Sequence, residues 1–151
     1  MREVLTMSKI WVVVADEAKA RVLSTNKSTE PLVTVDELIS SEATMAEQDL
    51  VSDKPGRSFD SNGQGRHAMG NKTNPKEQVT IRFAKELADY LETNRQRKAY
   101  IKLLIVAAPH FLGLLRKELS KGVSELVSLE VDKNLTAQAP EKIREHLPQY
   151  L

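Results

Sequence analysis

Short β-branched apolar runs, one long amphipathic repeat, and an alternation of strand and helix patterns after it predict an α/β fold built on a mixed five-stranded sheet with helices on its faces. The continuous run Ile10 to Ala15 is apolar on both sides, as a buried central strand requires. Ala20 to Ser24 follows after the short polar link Asp16 to Lys19 as a second strand. Leu32 to Ile39 has the β-branched content of a third, entered through Pro31, a residue suited to a strand's first position or to an edge. Three neighbouring strands with short links predict an antiparallel meander.

Ser40 to Leu50 carries a weaker helical pattern. In the segment from Lys76 to Arg97, Val79, Phe83, Leu87 and Leu91 recur every fourth residue with Ala84 and Ala88 beside them, which is the stripe of an amphipathic helix that must cover a sheet. Tyr100 to Ala108 reads as a fourth buried strand stopped by Pro109. Phe111 to Lys121, with Leu112, Leu115 and Leu119 at helical spacing, reads as a helix ended by Gly122. Leu126 to Val131 is the fifth strand and Pro140 to Leu147 a last short helix. Right-handed crossovers would set the later strands parallel to the first, the arrangement of ribonuclease H-like folds. Trp11 and Phe111, each in or beside an apolar run, are expected as core anchors.

The chain has 151 residues, 40% of them apolar, which suits one globular domain over 1–151 able to bury a core without covalent staples. It has no cysteine, so disulfides, thiolate metal sites and a Cys nucleophile are excluded. The patterned sequence begins just after Met7, which marks that residue as a natural start. No stretch approaches the roughly 18 to 20 apolar residues of a membrane span, so a cytoplasmic protein without membrane insertion is expected. The net charge of +1 gives no wholesale attraction to nucleic acid.

Function is expected in the stretch from Asp53 to Pro75, DKPGRSFDSNGQGRHAMGNKTNP, which repeats at neither period 2 nor 3.6 and holds only Phe59 and Met69 as large apolar side chains. So long a connection without pattern is usually either a functional loop or disordered. From Asp53 to Lys76, five basic residues (Lys54, Arg57, Arg66, Lys72, Lys76) stand against two acidic ones (Asp53, Asp60), a local +3 with His67 neutral. Arg57 and Arg66, set among glycines, suit phosphate or an RNA backbone through charge-assisted hydrogen bonds.

Other constellations are poorer. Asp60 and His67 are too few for a metal site, and no HxH or HExxH spacing occurs. Ser58, Ser61 and His67 lack the elbow a hydrolase triad needs. Asp16 and Asp132, each just beyond a strand, could gather at one end of the sheet as nuclease carboxylates, but Asp in such places usually accepts backbone hydrogen bonds in a turn. Pro109-His110-Phe111 lies at the carboxyl end of a central strand, where open α/β sheets bind ligands and where helix amides could hold an anion. Arg95, Arg97 and Lys98 read as the solvated end of the long helix. No cofactor is implied.

Several blocks in order, WVVVADEAKARVL, PGRSFDSNGQGRHA, RFAKELADYL, LLIVAAPHFLGLLRKEL, DKNLT and IREHLPQYL, together resemble the bacterial family described as proteins required for attachment to host cells, from about Lys9 to the C-terminus. That family is in turn similar to the central domain of archaeo-eukaryotic peptide-chain release factors, in which a Gly-Gly-Gln loop ahead of a long helix presents its Gln to the peptidyl-tRNA ester. Here the corresponding residues are Asn62-Gly63-Gln64-Gly65, with Asn in place of the first Gly. The resemblance implies an indirect role in attachment for a binding or translation-associated protein. Together with the basic charge of the loop it makes Arg57, Gly63, Gly65, Arg66 and His67 the expected substrate- or RNA-binding residues and the ribosome or tRNA the expected partner, with a protein partner as the other possibility. The alternative reading is an enzyme that hydrolyses peptidyl-tRNA esters, as in release or rescue, with Gln64 as the catalytic residue. Gly63 and Gly65 would then let the backbone approach the ester while Gln64 positions water.

Overall fold

The computed structural model describes residues 9–27, 29–43 and 75–151. Five strands, β1 (Ile10–Ala15), β2 (Lys19–Thr25), β3 (Val33–Ile39), β4 (Lys102–Ala107) and β5 (Val127–Val131), form one sheet in the order β3-β2-β1-β4-β5. The β1–β2 and β2–β3 pairs are antiparallel, whereas β1–β4 and β4–β5 are parallel. The expected meander and mixed sheet are therefore present. The short Asp16 to Lys19 link forces the antiparallel pair, and the helical crossovers force the parallel ones.

Alternation along β1 divides the core in two. Trp11, Val13 and Ala15 face one side with Phe83, Leu87, Leu91, Leu103, Phe111 and Leu115, while Ile10, Val12 and Val14 face the other with Leu104, Leu135, Ile143 and Leu147. Helices α1 (Pro75–Gln96), α2 (Pro109–Glu118) and α3 (Lys121–Leu126) lie on the first side, and α4 (Pro140–Glu145), through Ile143, contributes to the second. Most of the stripe read from the sequence is the buried face of α1: Phe83, Ala84, Leu87, Ala88 and Leu91 are buried, joined by Thr80, whose hydroxyl donates back to the Lys76 carbonyl (3.1 Å), while Val79 at its start is half-buried. Each large apolar side chain so buried contributes about 1.5–3 kcal/mol relative to exposure. Trp11 and Phe111 are both core residues. Trp11 stacks on Tyr100 (centroids 4.8 Å apart) and Tyr90 (6.0 Å).

The end of α1 is closed by a paired backbone motif: Ala99 N donates to Asn94 O (3.0 Å) and Lys98 N to Arg95 O (2.9 Å). This pattern places Lys98 at the left-handed position normally given to glycine, and its φ is 62°.

Two sequence expectations fail here. The helix from Phe111 does not run to Lys121 and Gly122 does not cap it. Instead α2 ends at Glu118, Leu119 turns extended (φ −66°, ψ 140°), and α3 begins at once because the Ser120 side chain accepts from Val123 N (3.1 Å) as its N-cap. Gly122 lies inside α3, where an added Cβ would sit 2.6 Å from Arg95 Cζ. Arg95, in turn, is no solvated terminus. Its guanidinium donates twice to Glu92 (2.9 and 2.8 Å), which also accepts from Ser120 Oγ (2.7 Å) and Gln96 Nε2 (2.5 Å). Chiefly through the Arg95 bond, then Ser120 and Gln96, the Glu92 carboxyl is held down to about 2. Glu92 thereby joins the C-terminal turn of α1 to the start of α3.

Residues 41–43 are helical, with Ala43 N donating to Ser40 Oγ (3.1 Å), and the rest of the helix expected from Ser40 to Leu50 lies outside the described residues, as does Met7. Among the described residues no helix is long and apolar enough to cross a membrane.

Candidate functional site

Parallel β1 and β4 end side by side, with Ala15 opposite Ala107, and the residues that follow them define the carboxyl edge of the sheet. Beyond β1, Asp16 Oδ1 accepts from Ala18 N (2.8 Å) and Lys19 N (2.9 Å), closing the turn into β2. Its other oxygen, Oδ2, accepts from the Thr136 hydroxyl (2.8 Å), which also lies 2.8 Å from Asn134 Oδ1. Arg21, from β2, donates to the carbonyls of Thr136 (3.1 Å) and Gln138 (2.5 Å), so the chain after β5 is strapped across this edge. Both oxygens of Asp16 are thus spent on holding backbone and a neighbouring hydroxyl.

Beyond β4, Pro109 occupies the first turn of α2, and its missing N–H costs nothing there. His110 Nε2 is 2.9 Å from Glu77 Oε1 in the first turn of α1. The two helices therefore start beside one another at the carboxyl edge. Pro75, the first residue of α1 and the last of the stretch read from the sequence, lies at this place.

The structure brings together only part of what the sequence suggested. Asp16 performs the turn role, Asp132 stands exposed after β5, and among the described residues no group of three His, Asp or Glu side chains could hold a metal ion. A nuclease centre is not assembled from these residues. Arg57, Gly63, Gln64, Gly65, Arg66 and His67 lie outside the described residues, as do Ser58, Asp60 and Ser61. The Glu77 partner of His110, the Thr136 partner of Asp16 and the Asn134 that accepts from Thr136 were not foreseen. The sequence signal for the last two is the block DKNLT, which contains both.

Among the described residues, a mixed sheet with helices α1, α2 and α3 on one face and a polar carboxyl edge defines the chain as an α/β protein. Residues 11–147 match the family described as protein required for attachment to host cells, and the chain belongs to that family. Among solved structures it is similar to an archaeal translation termination factor, at 9% identity with a TM-score of 0.50 over 97% of this chain; it spans 37% of that factor's length, and the likeness is one of fold. A Ppx/GppA phosphatase from Aquifex aeolicus is matched at 14% identity over 82% of this chain and 35% of its own, with a TM-score of 0.34, too low to bear on the fold. No curated protein matches the chain.

Proposed function

We propose that this host-attachment family member is a cytoplasmic binding protein that engages an RNA-containing partner, the ribosome or a tRNA, through its basic Asp53–Pro75 stretch, and that its role in attachment is indirect. The observation that carries the reading is the position of Pro75 and Glu77. The first turn of α1 meets the β4–α2 turn through the Glu77–His110 pair, so the stretch from Asp53 to Lys76, of net charge +3, ends at the carboxyl edge, where sheets of this kind take their ligands. The polar groups described at that edge are occupied in holding structure, which favours binding over chemistry by the scaffold itself. The fold likeness to a translation termination factor makes the translation apparatus the partner to test first.

Arg57 and Arg66 would supply phosphate contacts, with His67, Gly63 and Gly65 shaping the backbone around them. Co-sedimentation of the full chain with ribosomes over a salt series is the test. Removing one phosphate-binding side chain lowers the salt slope by about one, so Arg57→Ala with Arg66→Ala should flatten it by about two while Gln64→Ala leaves binding unchanged. A Gln64→Ala protein that still sediments but no longer releases peptide from peptidyl-tRNA would move the reading to the hydrolase instead. Wild-type protein that does not sediment at low salt would refute both.

A further inference from the structure

The strand at the open edge of the sheet is unlike the others. Among the described residues β3 pairs only with β2, and every residue from Val33 to Glu37 is exposed, as is Ile39. Val33, Val35 and Ile39 are 59%, 45% and 57% exposed, a concentration of bare apolar side chains in one strand. Soluble proteins commonly protect such an edge with lysine or proline. Within Val33–Ile39 there is neither.

The charges that are present are all negative. Asp36 and Leu38 pair with Val22 and Ala20, which places them on the α1 side of the sheet; Glu37 and Ile39 pair with Arg21 and Lys19 on the other. Between β3 and α1 runs an open groove of about 540 Å³ whose lining includes Asp36, Glu86, Asp89 and Tyr90, with Arg97 the basic residue. Glu37, Glu86 and Asp89 make no ion pair among the described residues, and Asp36 accepts from the Tyr90 hydroxyl (2.8 Å) at one oxygen and from Glu37 N (2.8 Å) at the other, which keeps its carboxylate at the rim of the groove.

We propose that β3 is a docking edge for an extended basic segment of another protein, which adds as a sixth strand and lays alternate Lys or Arg side chains over the Asp36, Glu86 and Asp89 carboxylates. Main-chain hydrogen bonds to the open edge supply affinity, and the period-2 alternation of the guest supplies specificity. Its remaining side chains, on the opposite face, meet Glu37 and Ile39, so apolar residues between the basic ones complete the match. A second copy of this chain is the disfavoured occupant. Two-fold pairing of β3 with itself about its middle residue sets Asp36 against Asp36, and like charges directly opposite are destabilising. An RNA is disfavoured for the same reason. This surface lies on β3 and the outer side of α1, and its test does not depend on the Asp53–Pro75 stretch.

The probe is the heptapeptide acetyl-Lys-Val-Lys-Val-Lys-Val-Lys-amide carrying a fluorophore, titrated against the full chain by anisotropy, with amide chemical shifts recorded in parallel. Shifts confined to β3 and residues 86–94 are expected, with affinity falling as salt rises from about 50 to about 300 mM. N-methylation of alternate peptide residues, which keeps charge but removes main-chain donors, should weaken binding at least about tenfold. Glu86→Gln with Asp89→Asn, on exposed positions of α1, should weaken it about fivefold or more. Failure to bind, a footprint elsewhere, equal binding of the N-methylated peptide or of a Glu-Val peptide, or no change in the double variant would each overturn the proposal. A free chain that sediments as a dimer with protected β3 amides would overturn it in favour of a second copy.

Discussion

Lys98 holds a left-handed conformation (φ 62°) at the position after α1 where the closing motif is usually built on glycine. Replacing it by glycine and, separately, by alanine separates backbone from side chain, because both variants lose the same exposed ammonium at a helix C-terminus. An L-residue in this conformation costs about 1–2 kcal/mol, whereas glycine loses about 0.5–1 kcal/mol more than alanine in chain entropy on folding. The balance is that Lys98→Gly should be more stable than Lys98→Ala by about 0.5–1 kcal/mol, or about 1–4 °C in Tm for a chain of this size. The alanine variant should fall slightly below wild type, since a cation near a helix C-terminus contributes about 0.3–1 kcal/mol. Urea unfolding followed by far-UV circular dichroism measures all three proteins. A glycine variant no more stable than the alanine one would mean that Lys98 is not strained and that the closing motif of α1 is wrongly described.

Phe83→Ala removes a ring that is 1% exposed and 5.9 Å from Phe111, and should cost about 3–5 kcal/mol in urea melts, against less than about 0.5 kcal/mol for exposed Asp89→Ala. Glu92 is held down to about 2 from an ordinary 4.5, so its stabilising contribution is present above the higher value and lost as pH falls through the lower; the stability gap between wild type and Glu92→Gln should close over that window in an acid titration. Gly122→Ala must displace the Arg95 guanidinium from Glu92, so the Glu92 carboxyl, followed by carbon-detected NMR, should titrate higher than in wild type.

The strands and α1 were legible because burial on one or both faces leaves a period, and every residue of the Phe83–Leu91 stripe proved to be core. The break between α2 and α3 was not, since it depends on one hydroxyl, Ser120, and no glycine or proline marks Leu119. Glu92 could not be read as a junction either: Ser120 is 28 residues away, and only the folded crossover brings them to 2.7 Å. β3 was legible as a strand, but its exposure was not, because nothing in β-branched content tells an open edge from a covered one. For the candidate site, the sequence found Asp16 and His110 at the carboxyl edge but not Thr136 or Glu77, whose positions depend on distant chain returning there.

The aromatic stack gives the protein an optical property of its own. Trp11 is the single tryptophan, 3% exposed, with its indole stacked on the rings of Tyr90 and Tyr100. Burial pushes both phenols up, Tyr90 further raised by the Asp36 carboxylate it donates to, so neither ring ionises in the neutral range and the indole's surroundings stay chemically constant. Its emission is therefore expected to be blue-shifted in the native protein and to report on the ring stack. Because the Tyr90 hydroxyl is tied to Asp36 in β3, a disturbance of that outer strand passes through the Tyr90 ring to the fluorophore at the centre of the sheet. The edge strand can be watched by intrinsic fluorescence without attaching a dye.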